Sequence, residues 1–238
     1  MEEMFGYKIM KILGKGKTGT AYLVEKAGFL SGEKVVLKVM NKDVEDYNKQ
    51  LEIFKNEKYS YQRMNKIGVG IPQLYEFNEE NNYLVKEYIE GSCAGELAAI
   101  GYNNVGGLTD SHFELIFDMY KRFKEIGIHV DYFPSNFIFT NDMKIYCIDY
   151  ECYDYNAEWD FINWGIYYWL NQKGMEELLK NGATDKLNKP GTFKPFDEPF
   201  ECIKQELMKK YENEYRALNG DYPERICEFE IILKLRIE

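Results

Sequence analysis

From Tyr7 to Met40 apolar and polar positions alternate in short runs separated by glycine-bearing turns. Tyr7, Ile9 and Lys11 open the first run, Thr20–Val24 make the second and Lys34–Met40 the third, which is the period-two pattern of half-buried strands. A small antiparallel meander is expected there. Between Asp43 and Lys66 the spacing lengthens, with Leu51, Phe54, Tyr59, Tyr61 and Met64 spread among charges as on an amphipathic helix that Gly68 and Gly70 end. Two further strand-like runs, Gln73–Glu76 and Tyr83–Ile89, lead to a Glu90-Gly91-Ser92 break.

Beyond the break the pattern is mainly helical. Leu108–Ile126 carries Phe113, Ile116, Phe117, Tyr120 and Phe123 behind a Thr109 or Asp110 cap, and Pro199–Leu218 repeats this with Phe200, Ile203, Leu207, Tyr211 and Tyr215. The last stretch, Phe229 to Ile237, alternates like a strand yet shares a helical face, and is read as a helix. These patterns predict an α+β fold with a β-rich first unit over residues 1–90 and a mainly helical second unit over residues 91–238.

Composition narrows the setting. A chain of 238 residues at 45% hydrophobic can bury a full core. M-E-E-M-F-G-Y-K lacks the basic and apolar blocks of a leader, and no later run nears the roughly 18 apolar residues of a membrane span, so a cytoplasmic, membrane-free protein is expected. The five cysteines, Cys93, Cys147, Cys152, Cys202 and Cys227, form no C-x-x-C pair and read as reduced thiols. A formal charge of -10 argues against nucleic acid as a partner and favours a cationic or metal-bearing ligand.

Chemistry enters at four places. Leu13–Ala21 reads L-G-K-G-K-T-G-T-A, with Gly14, Gly16 and Gly19 between two strand-like runs, where glycine lets backbone amides approach phosphates. Because Thr20–Val24 continues as a strand rather than a helix, the loop is not of the Rossmann type. V-V-L-K then sets Lys38 among apolar neighbours, and a buried ammonium needs a carboxylate, for which the next helix offers Glu57 and, less well placed, Glu52. Lastly, H-V-D-Y-F-P-S-N places Asp131 and Asn136 five apart, and Asp149 closes a short apolar run thirteen residues later. One carboxylate base and two metal ligands within reach of one phosphate suit phosphoryl transfer.

Taken in order, L-G-K-G-K-T-G-T-A, V-V-L-K, the N-E-K helix, L-V-K-E-Y-I-E-G, H-V-D-Y-F-P-S-N and I-D-Y-E resemble the protein-kinase-like superfamily from residue 7 to about 170. The resemblance implies a two-lobed kinase-like fold binding ATP and Mg2+, with Leu13 and Ala21 over the adenine, the Glu87 carbonyl and Ile89 amide facing its edge, and Lys86 at the gatekeeper position. It implies Lys38 on the phosphates with Glu57 as its partner, Asp131 as the catalytic aspartate, and Asn136 and Asp149 as metal ligands. His129 in this motif braces the loop from inside.

Other positions depart from a protein kinase. Phe133 stands where serine/threonine kinases keep a lysine, and I-D-Y-E is similar to the I-D-[FWY]-E of choline and aminoglycoside kinases. Asp160, in E-W-D-F-I-N-W-G, follows Asp149 by eleven residues, leaving no room for an activation segment. The aromatic residues from Tyr150 to Trp169 among carboxylates suit a cationic ligand, although packing alone explains them more simply. The expected activity is therefore transfer of the ATP γ-phosphoryl group to a hydroxyl acceptor, small and cationic. The alternatives are a minimal protein serine/threonine kinase and a catalytically silent nucleotide-binding module.

Overall fold

A computed structural model describes residues 2–16, 18–26, 34–41 and 46–219 of the chain, with side chains as far as Tyr211. The C-terminal helix expected over Phe229–Ile237, and Cys227, lie outside the described residues. The chain divides into two compact units, Met1–Phe196 and Asp197–Glu238.

The strands in chain order are β1 (Glu3–Met4), β2 (Tyr7–Lys15), β3 (Gly19–Lys26), β4 (Lys34–Met40), β5 (Leu74–Asn78), β6 (Tyr83–Glu87), β7 (Ser92–Cys93), β8 (Ile128–Val130), β9 (Phe137–Phe139), β10 (Ile145–Cys147) and β11 (Cys152–Asp154). The helices are α1 (Tyr47–Asn65), α2 (Ala94–Ile100), α3 (Asp110–Glu125), α4 (Ile166–Leu170), α5 (Gln172–Asn181) and, in the second unit, α6 (Glu201–Asn219). The result is mixed α+β. Among the described residues a six-stranded antiparallel sheet runs β1-β2-β3-β4-β6-β5, with smaller sheets β10-β9-β7 and β11-β8. Among these residues no helix is long and apolar enough to cross a membrane.

The two faces of the large sheet do different things. Strand alternation sends Val24, Val35, Leu37, Tyr83 and Val85 with Tyr7 into one apolar cluster. The other face carries Met40 and Leu84 against Phe54 of α1 and Tyr150. On this second face Lys38 lies opposite Leu84, and Lys86 opposite Val36. Helix α1 buries Phe54, Glu57, Ser60 and Met64. Tyr59, expected on the apolar face, is 61% exposed, because the true stripe runs 54-57-60-64 at helical spacing and includes two polar residues.

A turn after α1 joins the large sheet to β10. The Gly70 carbonyl accepts from the Cys147 amide at 2.8 Å. A Cβ on Gly70 would lie 2.1 Å from the Ile145 carbonyl oxygen, so only glycine lets the two backbones meet.

The helical part centres on Trp169 of α4, fully buried, with its indole nitrogen donating to the Tyr132 carbonyl at 2.8 Å. Phe113, Phe137, Phe139 and Phe161 surround it with ring centroids 5.4–6.2 Å away. Truncation to Ala should cost about 3–5 kcal/mol, the loss of a large buried ring plus the cavity it leaves. Urea titration of Trp169→Ala against the parent checks this, and a loss below about 1 kcal/mol would mean that the cluster does not hold the core together.

The segment around Asp160 is a short 3-10 turn, Ala157–Trp159, then a π-helical turn, Phe161–Gly165, leading into α4. Asp160 divides them. Its buried carboxylate accepts from the Asn163 amide at 2.8 Å and from the hydroxyls of Tyr120 and Tyr155 at 3.0 and 2.8 Å. Most rings of this segment, including Tyr167, Tyr168 and Trp169, are buried, as packing requires.

Candidate functional site

Sheet and helix bring Lys38 and Glu57 together. Lys38 projects from β4 on the face that α1 covers, and its Nζ donates to Glu57 Oε1 at 2.7 Å and to Asp149 Oδ1 at 3.2 Å. Glu52, one turn earlier and exposed, has rotated off that face. The second oxygen of Glu57 is buried without a hydrogen-bond partner among the described residues.

The electrostatics follow from counting neighbours. Burial works against the Lys38 ammonium, but two carboxylates, Asp149 and Glu57, outweigh it and hold its pKa above the ordinary value. For Glu57, burial dominates and pushes the carboxyl up, since it shares one ammonium with Asp149, whose charge adds to the rise. Asp149 is also desolvated, yet Lys38 and Lys86 together hold it below the usual carboxylate range. Asp149 is thus the ionised acid of the group, and its side chain is 31% exposed.

Asp131 and Asn136 arrive from a tight loop after β8. The Asp131 Oδ1 accepts from the Phe133 amide at 3.0 Å, the Asn136 side-chain amide donates to the Asp131 carbonyl at 3.1 Å, and Pro134–Asn136 forms a 3-10 turn. Asp131 itself is exposed at the loop's surface. Although the residue reaches the surface, partial desolvation of its carboxyl raises its pKa, and the Asp149 charge raises it further. The Ile148 amide donates to the Asn136 carbonyl at 2.8 Å, which draws the Asp149 segment against the loop. His129 is buried and neutral, its Nδ1 accepting from the Asn156 amide at 3.3 Å, a brace rather than a base.

The glycine loop is tied to β4. The side-chain amide of Asn41 donates to the Gly16 carbonyl at 2.9 Å, while the Thr20 hydroxyl donates to Asn41 Oδ1 at 3.0 Å. Gly19 is dictated by crowding, since a Cβ there would sit 2.6 Å from the Val39 carbonyl oxygen. A Cβ on Gly14 would meet nothing within 4 Å, leaving open space on that side of the loop. Leu13 is exposed at the end of β2, and Ala21 of β3 is the cross-strand partner of Lys38. Glu87 ends β6, its amide donating to the Gln73 carbonyl at 2.9 Å, and Ile89 lies in the irregular stretch that follows.

One residue here, Asn41, escaped sequence reading. Asn41 carries no local signal beyond following β4. Lys86 was placed only by motif, yet it is 6% exposed, its Nζ donates to the Ile148 carbonyl, and it lies 4.7 Å from the centre of the Tyr150 ring. Burial, with the neighbouring Lys38 charge, pulls its pKa down to about 8.

Near Asp131 the Phe133 ring meets Tyr168 edge-on at 5.1 Å, and Trp164 packs on Tyr168 at 4.7 Å. The Asp131 charge reaches Tyr168 and, after burial, adds to the rise of its hydroxyl pKa. Glu151 lies in the same field, its pKa pushed up to about 7 by burial and by the charge of Asp149. Among the described residues no group of three or more His, Cys, Asp or Glu side chains is placed to hold a metal ion.

No family model matches the chain. Over 138 residues, 56% of its length, it is 30% identical to serine/threonine-protein kinase D of Synechocystis sp. and spans 27% of that protein. This similarity suggests a kinase-like relationship for part of the chain.

Proposed function

We propose that the chain is an ATP-dependent phosphotransferase acting on a hydroxyl group, with the nucleotide between a β-rich lobe, residues 1–90, and a helical lobe, residues 91–238. The observation that carries the reading is the Lys38 ammonium held between Glu57 at 2.7 Å and Asp149 at 3.2 Å, beside the loop that presents Asp131 and Asn136.

The residues suit the groups such a reaction needs. Asp149 and the Asn136 side-chain oxygen are hard oxygen donors, too few for an all-protein cage and suited to Mg2+, which takes its other ligands from water and phosphate. When bound, that ion neutralises charge on the transferred phosphoryl group. A nucleotide would lie against the glycine loop, where the side of Gly14 is open and Leu13 is exposed. Lys38 would then draw the α- and β-phosphates inward. Asp131 would orient the acceptor hydroxyl and take its proton as the oxygen bonds to phosphorus and ADP leaves.

The acceptor reading is a small alcohol, cationic in character. It rests on Phe133 in place of a lysine, on the Phe133, Tyr168 and Trp164 rings near Asp131, and on Glu151 in the same field. A minimal protein serine/threonine kinase is the second reading, favoured by the similarity to the Synechocystis kinase. An ADP-release panel of choline, aminoglycosides and sugar alcohols against peptide and protein acceptors separates them. Turnover on proteins alone overturns the small-alcohol reading, and nucleotide binding with no turnover on any acceptor leaves the silent module.

The raised pKa of Asp131 gives a pH signature. An elevated folded-state pKa keeps the carboxyl protonated to higher pH than an ordinary aspartate, so the base is lost earlier as pH falls. The acid limb of kcat/KM should therefore lie above the ordinary aspartate value near 3.9. A profile flat down to pH 4 would remove Asp131 from the base role.

A further inference from the structure

Lys86 is an anomaly of the sheet. In β6 the alternating residues Tyr83 and Val85 enter the outer apolar cluster, and Leu84 enters the cluster under α1 with Phe54 and Tyr150. Lys86 follows Leu84 on that second face, where a leucine would pack at no electrostatic cost. A buried ammonium is retained there against its desolvation, so what it touches is informative.

It touches the chain one residue before Asp149. The Nζ donates to the Ile148 carbonyl and rests over the Tyr150 ring. That ring is itself held, edge-on to Tyr61 of α1 at 5.1 Å and with its hydroxyl donating to the Pro72 carbonyl at 2.7 Å. From the other side the Ile148 amide donates to the Asn136 carbonyl at 2.8 Å. Both polar ends of Ile148 are thereby pinned, one by the loop that carries Asn136 and the other by the sheet that carries Lys38.

We propose that Lys86 is a positioning residue for Asp149, holding the Ile148 carbonyl so that the Asp149 carboxylate stands at a set distance from Asn136 and Lys38. The inference rests on the phosphotransferase reading. It differs from a charge effect in sign: loss of a nearby cation alone would strengthen divalent-ion binding at Asp149, whereas loss of the anchor lets the carboxylate drift. A misplacement on the order of 1 Å costs up to about a hundredfold in rate.

The test is steady-state kinetics of the full chain with ATP, Mg2+ and an acceptor it turns over, each rate divided by the fraction of molecules that binds Mg-nucleotide. Lys86→Met keeps the volume and removes the donor, and should lower kcat roughly 10- to 100-fold with little change in KM for ATP. Lys86→Gln loses the charge but keeps a donor, and should recover part of that kcat. It also serves if the Met variant does not fold. Val85→Ala, on the same strand but the opposite face, should lower the melting temperature and leave the corrected kcat within about twofold. A corrected kcat for Lys86→Met within twofold of the parent, tighter Mg2+ with unchanged kcat, or equal losses in the Met and Gln variants each overturns the proposal while the phosphotransferase reading stands. A parent that neither binds Mg-nucleotide nor turns over overturns both.

Discussion

Asp131→Asn is expected to bind Mg-nucleotide as the parent does and to turn over about 10²–10⁴-fold more slowly. The substitution is chosen because the Asp131 Oδ1 accepts from the Phe133 amide at 3.0 Å, and asparagine keeps an oxygen for that bond. The loop therefore survives while the proton acceptor is lost. Folding should not suffer, since the native site already disfavours the charged carboxylate through desolvation and the proximity of Asp149. A melting temperature at or above that of the parent, with kcat collapsed, is the expected pairing. Retained turnover at fixed Mg-ATP would mean that another group takes the proton.

Asp149→Ala should abolish the stabilisation that Mg2+ and ATP together confer. For the parent at nucleotide about a hundredfold above Kd, linkage predicts about 2.7 kcal/mol, or roughly 5–10 °C for a chain of this size. The variant removes the carboxylate that is held ionised by Lys38 and Lys86 and remains open to solvent. Lys38 keeps Glu57 at 2.7 Å, so the sheet and α1 stay joined and the unliganded variant should still melt cooperatively. Thermal denaturation with Mg2+ alone, with ATP in chelator and with both separates the metal's contribution from the nucleotide's. A shift in the variant equal to the parent's would take Asp149 out of the metal site.

Much of this was written in local pattern. Period-two alternation in Tyr7–Met40, the glycines from Gly14 to Gly19 and the five-residue interval from Asp131 to Asn136 are short-range facts, and the structure builds a hairpin and a tight turn from them. The turn closes on itself through the Asn136 side chain and the Asp131 carbonyl, a contact only five residues apart and therefore local.

What the sequence by itself determined is the main strands and the helix of the first 90 residues, the long helix after Thr109, and the residue types suited to phosphate, metal and proton, because backbone geometry and side-chain chemistry are local properties. The short strands β7 to β11, lying where the pattern reads as mainly helical, left no such mark. Only the tertiary structure decided which of them meet. The choice of Glu57 over Glu52 depends on how α1 rotates against the sheet, and Phe54 and Met64 set that rotation through their burial. Asn41 joins the glycine loop through a partner 25 residues away, and Lys86 reaches Ile148 across 62. Contacts of that separation leave no period in the chain, because they are fixed by the packing of one face upon another.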